Sequence, residues 1–289
     1  MQIQKNISTT NLTTMRIHGT TAYYLGTNSL DDIKAGIKFA KKHHLPYYII
    51  GNGSKVLFKD KHYKGLVIHN LIDKIVLHGE ILQASSGVKL PKLAHYCAKN
   101  SIMGFEWAAD IPGTVGGAIY MNAGAFGSTI SNNLIEVKVM DLSSGELKKY
   151  KKNQLKFRHR YSSFQENNRL FILEASFQVA QGSKKVIVEK MRTCRKYRLE
   201  TQPIDCYTLG SVFKRTIFNG EEVSAGLLLE KAGCKKMKVG EAEVSQKHAN
   251  FIINREKATT KDILSLISRM KKSVKNKFGV DLELEIRII

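Results

Sequence analysis

The sequence is poor in the residues that mark several structural classes. Proline occurs only 4 times in 289 residues and there is no low-complexity tract, which excludes a fibrous or linker-rich chain. No stretch approaches the roughly 18 consecutive apolar residues of a membrane span. The first thirty residues, MQIQKNISTTNLTTMRIHGTTAYYLGTNSL, lack the apolar core and cleavage site of a secretory signal. The 4 cysteines, Cys97, Cys194, Cys206 and Cys234, are far apart and form no C-x-x-C pair. Neither a zinc knuckle nor an iron–sulfur site follows, so no metal is expected, and isolated thiols suit a reducing cytosol. Acidic residues are also scarce, 25 against 46 Lys plus Arg, for a net charge of +21. The hydrophobic fraction of 43% is nevertheless too high for a disordered chain. The expectation is a folded cytoplasmic protein without a membrane span, of about two domains.

The positive charge invites a nucleic-acid reading, but its distribution argues against one. One cluster runs from Lys148 to Arg160, a second from Lys184 to Arg198 and a third from Arg269 to Lys277. The second and third lie on segments of helical period, where such charges form solvated faces. No RNA-recognition sheet pattern or zinc-finger spacing is present. A positive field equally attracts an anionic dinucleotide or nucleotide-sugar.

Apolar spacing predicts helices over 29–45, 89–100, 184–198, 224–232 and 260–278, with Gly233 and Gly279 ending the last two. The helix at 184–198 should turn Ile187, Met191 and Cys194 inward. Strands are expected at 47–50, 66–68, 75–77, 81–85, 134–140, 171–179 and 251–253. The final segment, Leu282 to Ile289, alternates as a strand with Glu283, Glu285 and Arg287 on its polar face. Mixed strands and helices with hairpin returns point to an α+β fold. The Rossmann fingerprint is missing, since Val56 stands where its third glycine belongs.

Two segments look suited to a ligand. Gly51-Asn52-Gly53-Ser54 follows a strand directly, and a tight glycine turn there exposes N–H groups that can cradle a pyrophosphate; a plain turn is the competing reading. The stretch 104–127 holds six glycines and almost no charge. It reads as neither helix nor alternating strand, but as backbone lying against a large flat ligand. Two such loops suit a dinucleotide with a flat apolar ring, flavin better than nicotinamide, against the alternative of a packed core loop. Gly210-Ser211-Val212-Phe213-Lys214 offers a serine that can donate a proton or cap a turn. Phe213 excludes a serine-hydrolase elbow, which needs a second glycine there. Glu285 and Arg160, the latter within Phe157-Arg158-His159-Arg160-Tyr161-Ser162, read on their own as surface charges.

The order of these features is specific. After Asn11-Leu12-Thr13-Thr14-Met15-Arg16 come IPGTVGGAIYMNAGAFG at 111–127, GSVFK at 210–214, AGLLLEKAG at 225–233, VGEAEVSQKHANFIIN at 239–254 and LELEIRII at 282–289. Over essentially its whole length the sequence resembles the UDP-N-acetylenolpyruvoylglucosamine reductase family, the UDP-N-acetylmuramate dehydrogenases of bacterial peptidoglycan synthesis, and within it the shorter class. The resemblance implies an N-terminal FAD-binding region of the vanillyl-alcohol-oxidase-like (PCMH-type) kind over 1–182, built of two α+β subdomains. An α+β substrate-binding domain would follow over 183–289. It implies bound FAD, NADPH as hydride donor, UDP-N-acetylglucosamine enolpyruvate as substrate, no nucleic-acid partner and a monomer.

By position, Gly51, Asn52, Gly53 and Ser54 would bind the FAD pyrophosphate. Ile111, Pro112, Gly113, Thr114, Gly116 and Gly117 would run beside the flavin and diphosphate, with Asn122, Ala123 and Gly124 close by. Ser211 matches the family's proton donor, and Arg160 and Glu285 match its other two catalytic positions. Lys214, His248 and Asn250 lie in substrate-side motifs. The sequence departs from the family in places. Its usual Gly-Gly-Gly-Ser-Asn loop ends here in Lys55, after Asn52 at the second glycine. Arg215-Thr216 replaces Asn-Pro, Leu284 replaces a proline, and Ile17 to Ala22 lacks the usual adjacent glycines.

The implied chemistry is hydride delivery through FAD to C3 of the vinyl ether, with negative charge building at C2 and on the adjacent carboxylate. Arg160 would stabilise that charge. Ser211, assisted by neighbouring charge, would protonate C2. Glu285, if buried and partly protonated, would be a second donor or polarise the carboxylate. Two other readings compete: a different FAD oxidoreductase of the same architecture, and a basic RNA- or membrane-surface protein without catalysis. A flavin absorbance band and substrate-dependent reoxidation separate them.

Overall fold

Ser29 caps the first helix, its side chain accepting from the N–H of Asp32. Asp31 and Asp32 lie in the positive first turn and Lys41 and Lys42 in the negative last one. This helix, α1 (Leu30–Lys42), buries Ile33, Gly36, Ile37 and Ala40 along one stripe. The computed structural model describes residues 1–289. They divide into two compact units, one of Met1–Gln4, Tyr23–Asn52 and Gly65–Lys196, the other of Lys5–Ala22, Gly53–Lys64 and Tyr197–Ile289.

In the first unit the strand Tyr47–Ile50 pairs in parallel with Leu66–His69. Leu66 and Ile68 pack with Leu25 and the apolar stripe of α1 into one core. A second sheet of five antiparallel strands runs in the order Leu147–Lys151, Leu134–Asp141, Leu170–Gln178, Ile81–Ser85, Ile75–His78. Alternate residues of its inner strands, Val137 and Val139, Ala175 and Phe177, Leu82 and Ala84, are buried. They share a core with α2 (Leu90–Lys99) and α3 (Val115–Met121).

The helix α3 corrects the reading of 104–127 as non-helical. Thr114 caps it, accepting from the N–H of Gly117, and Asn122 ends it in the left-handed conformation. Gly116 and Gly117 hid the period by leaving two blanks in the first turn. The helix α4 (Lys184–Thr201) forms where expected; Ile187 is buried and Met191, half-buried, packs against the core of the five-stranded sheet, while Cys194 stays half-exposed.

The second unit packs α5 (Ala225–Lys231) and α6 (Thr260–Phe278) with a three-stranded antiparallel sheet of Lys238–Val239, Ala242–Val244 and Ile252–Asn254. Thr259 and Asp262 form a reciprocal capping box at the start of α6, and Gly279 closes it at φ +69°. The end of the chain is not the long alternating strand expected. Only Arg287–Ile288 pairs, in parallel with Val56–Leu57, while Leu284 makes a single bridge to Phe213. Ile288 is 37% exposed, whereas Glu285, expected on a solvated face, is 6% exposed. The α+β class expected from the sequence is the class observed.

Candidate active site

The first unit holds the flavin-side candidates other than Gly53 and Ser54, which lie in the second. Gly51 has no room for a side chain: a Cβ there would lie 2.5 Å from Thr114 Oγ1. His69 hydrogen-bonds the backbone of Gly51, and its Nδ1 lies 3.1 Å from Tyr24 Oη. Burial holds its imidazole below the ordinary value, and the nearby Lys89 charge adds to that.

The two glycine-rich segments differ in what they offer. The N–H groups of Asn52, Gly53 and Ser54 donate to nothing within the chain, which suits an anion cradle. Those of Gly113, Val115, Gly116 and Gly117 are spent on Ile111 O, Val88 O, Ser86 O and Thr114 Oγ1. The second segment therefore contributes surface rather than donors. Gly116 is required by packing, since a Cβ would come 2.8 Å from Ser86 Cβ, but a Cβ on Gly117 would meet only Thr114 Oγ1, at 3.6 Å.

Arg160 is not a free surface charge. It sits at φ +52°, half-buried, and its Nη2 donates to Gly124 O at 3.1 Å. The loop carrying it is strapped to the end of α3. Asn122 Nδ2 donates to Arg158 O at 2.9 Å, and both Ser162 Oγ and Gln165 Nε2 donate to Tyr120 O. Asn122 Oδ1 is buried without a hydrogen-bond partner, the kind of orphan that a bound ligand satisfies.

The second unit gathers the other two catalytic candidates. Gly53 stands at φ +61°, where a Cβ would lie 2.0 Å from Leu12 O. One residue beyond Ser54, Lys55 Nζ donates to Ser211 O at 2.6 Å and pairs with Glu285 Oε1 at 2.9 Å. The half-buried Ser211 hydroxyl has no partner within the chain.

Asn250 organises the same loop. Its Oδ1 accepts from Phe213 N at 3.0 Å, its Nδ2 donates to Phe213 O at 2.9 Å, and its own carbonyl accepts from Val212 N at 2.9 Å. Val212 O in turn accepts from Glu285 N at 2.8 Å, which joins the serine loop to the buried carboxylate. His248 Nδ1 accepts from Asn250 N, and its ring lies on Phe251 with centroids 4.7 Å apart. Burial holds His248 below the ordinary imidazole value, and Glu230 partly opposes this. Lys214 Nζ pairs with the exposed Glu283 at 2.5 Å.

Comparison with known proteins decides the family. Residues 202–289 match the model described as UDP-N-acetylenolpyruvoylglucosamine reductase, C-terminal domain, and residues 21–151 match that of an FAD binding domain. The UDP-N-acetylenolpyruvoylglucosamine reductase of Clostridium novyi (strain NT) is 38% identical over 289 residues, covering 100% of this chain and 92% of that protein. That of Bacillus subtilis (strain 168) is 36% identical, covering 96% of this chain and 91% of that protein. The chain belongs to the UDP-N-acetylenolpyruvoylglucosamine reductase family. The crystal structure of the Thermus caldophilus reductase superposes with a TM-score of 0.82 at 27% identity, covering 100% of this chain and 99% of that one.

For a reductase of this family the residues present fit FAD. In the first unit the unspent Asn52 N–H, the open side of Gly117 and the orphaned Asn122 Oδ1, and in the second the unspent N–H groups of Gly53 and Ser54, are each of the kind that a flavin dinucleotide completes. The structure brings Arg160 to Gly124 in the first unit, and Ser211, Asn250 and Glu285 together in the second. The residue that sequence reasoning missed is Lys55, visible there only as a departure from the family loop. A long cation directly after a glycine turn, in a chain with a candidate catalytic glutamate, was the available signal.

Proposed function

We propose that Ser211, Arg160 and Glu285 are the groups with which this reductase completes its reaction. The chain is an FAD-dependent oxidoreductase that reduces the enolpyruvyl group of UDP-N-acetylglucosamine enolpyruvate to give UDP-N-acetylmuramate for peptidoglycan synthesis. When bound, FAD supplies the hydride chemistry, with NADPH as the source. Asn52, Gly53 and Ser54 would hold its pyrophosphate through their N–H groups, and Ile111 to Gly117 with Asn122 to Gly124 would flank the rest. No helix is long and apolar enough to cross a membrane. We infer a cytoplasmic monomer with a nucleotide-sugar substrate and no nucleic-acid partner. The functional division is drawn at 182/183, with the cofactor bound by the first part and the substrate by the second.

The chain's own groups have distinct tasks. The substrate's vinyl ether gains negative charge at C2 and on its carboxylate. Arg160 carries a permanent charge and is already oriented by Gly124 O, so it can meet that carboxylate without reorganising. Ser211 gives its proton to C2, and its uncommitted hydroxyl has no internal bond to break first. Glu285 is held 2.9 Å from the Lys55 ammonium, which orients its carboxyl group on the serine side of the site. His248 and Lys214 lie on the substrate side, and Asn250 holds the backbone that carries Ser211.

The observation that carries this reading is that one ammonium contacts both the Ser211 carbonyl and the Glu285 carboxylate. The test is Ser211→Ala. Its flavin should still be reduced by NADPH, while turnover of the enolpyruvyl substrate falls about 10²–10³-fold. If both half-reactions proceed at the wild-type rate, Ser211 is not the donor.

A further inference from the structure

One cation in the second unit has no role in the chemistry described so far, although it touches two of its proposed actors. We propose that Lys55 is a positioning residue for the protonation step, setting the places of Ser211 and Glu285 from a single nitrogen. This inference rests on the reading of those two residues given above.

The backbone at Lys55 is fixed independently of its side chain. Arg287 N donates to Lys55 O at 2.8 Å, and the next residue, Val56, pairs with Arg287 in the parallel ladder. The stem then runs past Gly210, where a Cβ would stand 3.4 Å from Nζ. Gly210 itself is at φ +70°, so this turn both needs a glycine and leaves the ammonium room.

Asn250 pins the loop after Ser211, through Val212 and Phe213. Lys55 pins it at Ser211 itself, through the carbonyl. The same ammonium neutralises a carboxylate that is only 6% exposed, while its own side chain is 27% exposed. Without it, the buried Glu285 carboxylate would lose an ammonium held at 2.9 Å and with it one fixed point of its position. Its negative charge would also oppose the alkoxide that forms on Ser211 once the proton has gone to carbon. Lys55 therefore acts through two neighbours, and neither contact requires it to touch the substrate.

The experiment compares Lys55→Met, Lys55→Arg and the double variant Lys55→Met/Glu285→Gln in the flavin-loaded full chain. Stopped-flow absorbance would measure NADPH reduction and reoxidation by UDP-N-acetylglucosamine enolpyruvate separately. In Lys55→Met, reoxidation should slow about 10²-fold with little change in substrate KM, and flavin reduction should stay within about twofold. Lys55→Arg, which keeps the charge, should recover most of the rate.

A second readout is independent of activity. Lys55→Met should lower Tm by roughly 5–10 °C, and adding Glu285→Gln should restore part of that, because the neutral amide no longer calls for the ammonium. The proposal is overturned if Lys55→Met reoxidises at the wild-type rate. It is also overturned if both half-reactions fall in parallel, or if Glu285→Gln fails to compensate in Tm. Failure of the function itself looks different: the wild-type chain would not turn over the enolpyruvyl substrate, or Ser211→Ala would be fully active.

Discussion

Asn250→Ala removes both ends of a side-chain clamp at once. Its Oδ1 accepts from Phe213 N at 3.0 Å and its Nδ2 donates to Phe213 O at 2.9 Å. With Asn250 5% and Phe213 1% exposed, water cannot simply replace the lost amide. A buried polar group left without a partner costs about 1–3 kcal/mol. Two such groups place the expected destabilisation at about 2–5 kcal/mol, allowing for partial relaxation. Asn250→Asp keeps the shape and the acceptor but turns a carboxylate oxygen toward the Phe213 carbonyl, so it should be at least as harmful. Urea unfolding of the flavin-loaded protein measures the loss, alongside kcat and KM. Because Ser211 precedes Val212 and Phe213 in the clamped loop, kcat should fall while substrate KM changes little. If Asn250 instead held the substrate directly, Asn250→Ala would raise KM and leave stability within about 0.5 kcal/mol. That result would refute the clamp.

Four further outcomes are expected. Gly117→Ala should fold with stability unchanged or raised by up to about 1 kcal/mol, because its Cβ meets only Thr114 Oγ1, yet it should retain less flavin. Gly53→Ala should fold poorly, because its Cβ would collide with Leu12 O; flavin-to-protein ratio and thermal melts distinguish the two. Burial lowers the proton affinity of His248 in the folded state, so the unfolded chain binds more protons and stability falls as pH drops through about 6.5. In Tm measured against pH, His248→Gln should flatten that fall, and an unchanged slope would count against the assignment. Burial, and then Glu106, push the Cys97 thiol up to about 12. Alkylation of the native protein should therefore label the half-buried Cys194 and Cys206 well before Cys97 or Cys234, as read by peptide mass spectrometry.

What could be read from the sequence was what local rules govern. Ser29 before Asp32, and Gly279 after an apolar stripe, place the ends of α1 and α6 because caps act within four residues. The inner strands of the five-stranded sheet were legible for the same reason, since a sheet with one buried face imposes period two. The helix α3 was not, because two adjacent glycines carry no apolar signal, and Gly116 is glycine on account of Ser86 in a different segment. Glu285 misled for a related reason. Alternation along 282–289 implies a solvated face, but Glu285 is buried and meets Lys55 and Val212, both far away in sequence. The ordered motifs identified the catalytic candidates; the contacts that orient them are tertiary and left no local mark.

The parallel ladder between Val56–Leu57 and Arg287–Ile288 also bears on how this protein is made. The earlier strand leaves the ribosome about 230 residues ahead of its partner, and at about 5–20 residues per second that is an interval of roughly 10–50 s. During that time Val56 and Leu57 lack their ladder partner, and Lys55 lacks Glu285. The amino-terminal pieces of the second unit are therefore nascent-chain clients until translation nears its end. A ribosome stalled before residue 285 would have made Lys55 and Asn250, which hold the serine loop, but not the Glu285 N–H that Val212 O accepts from.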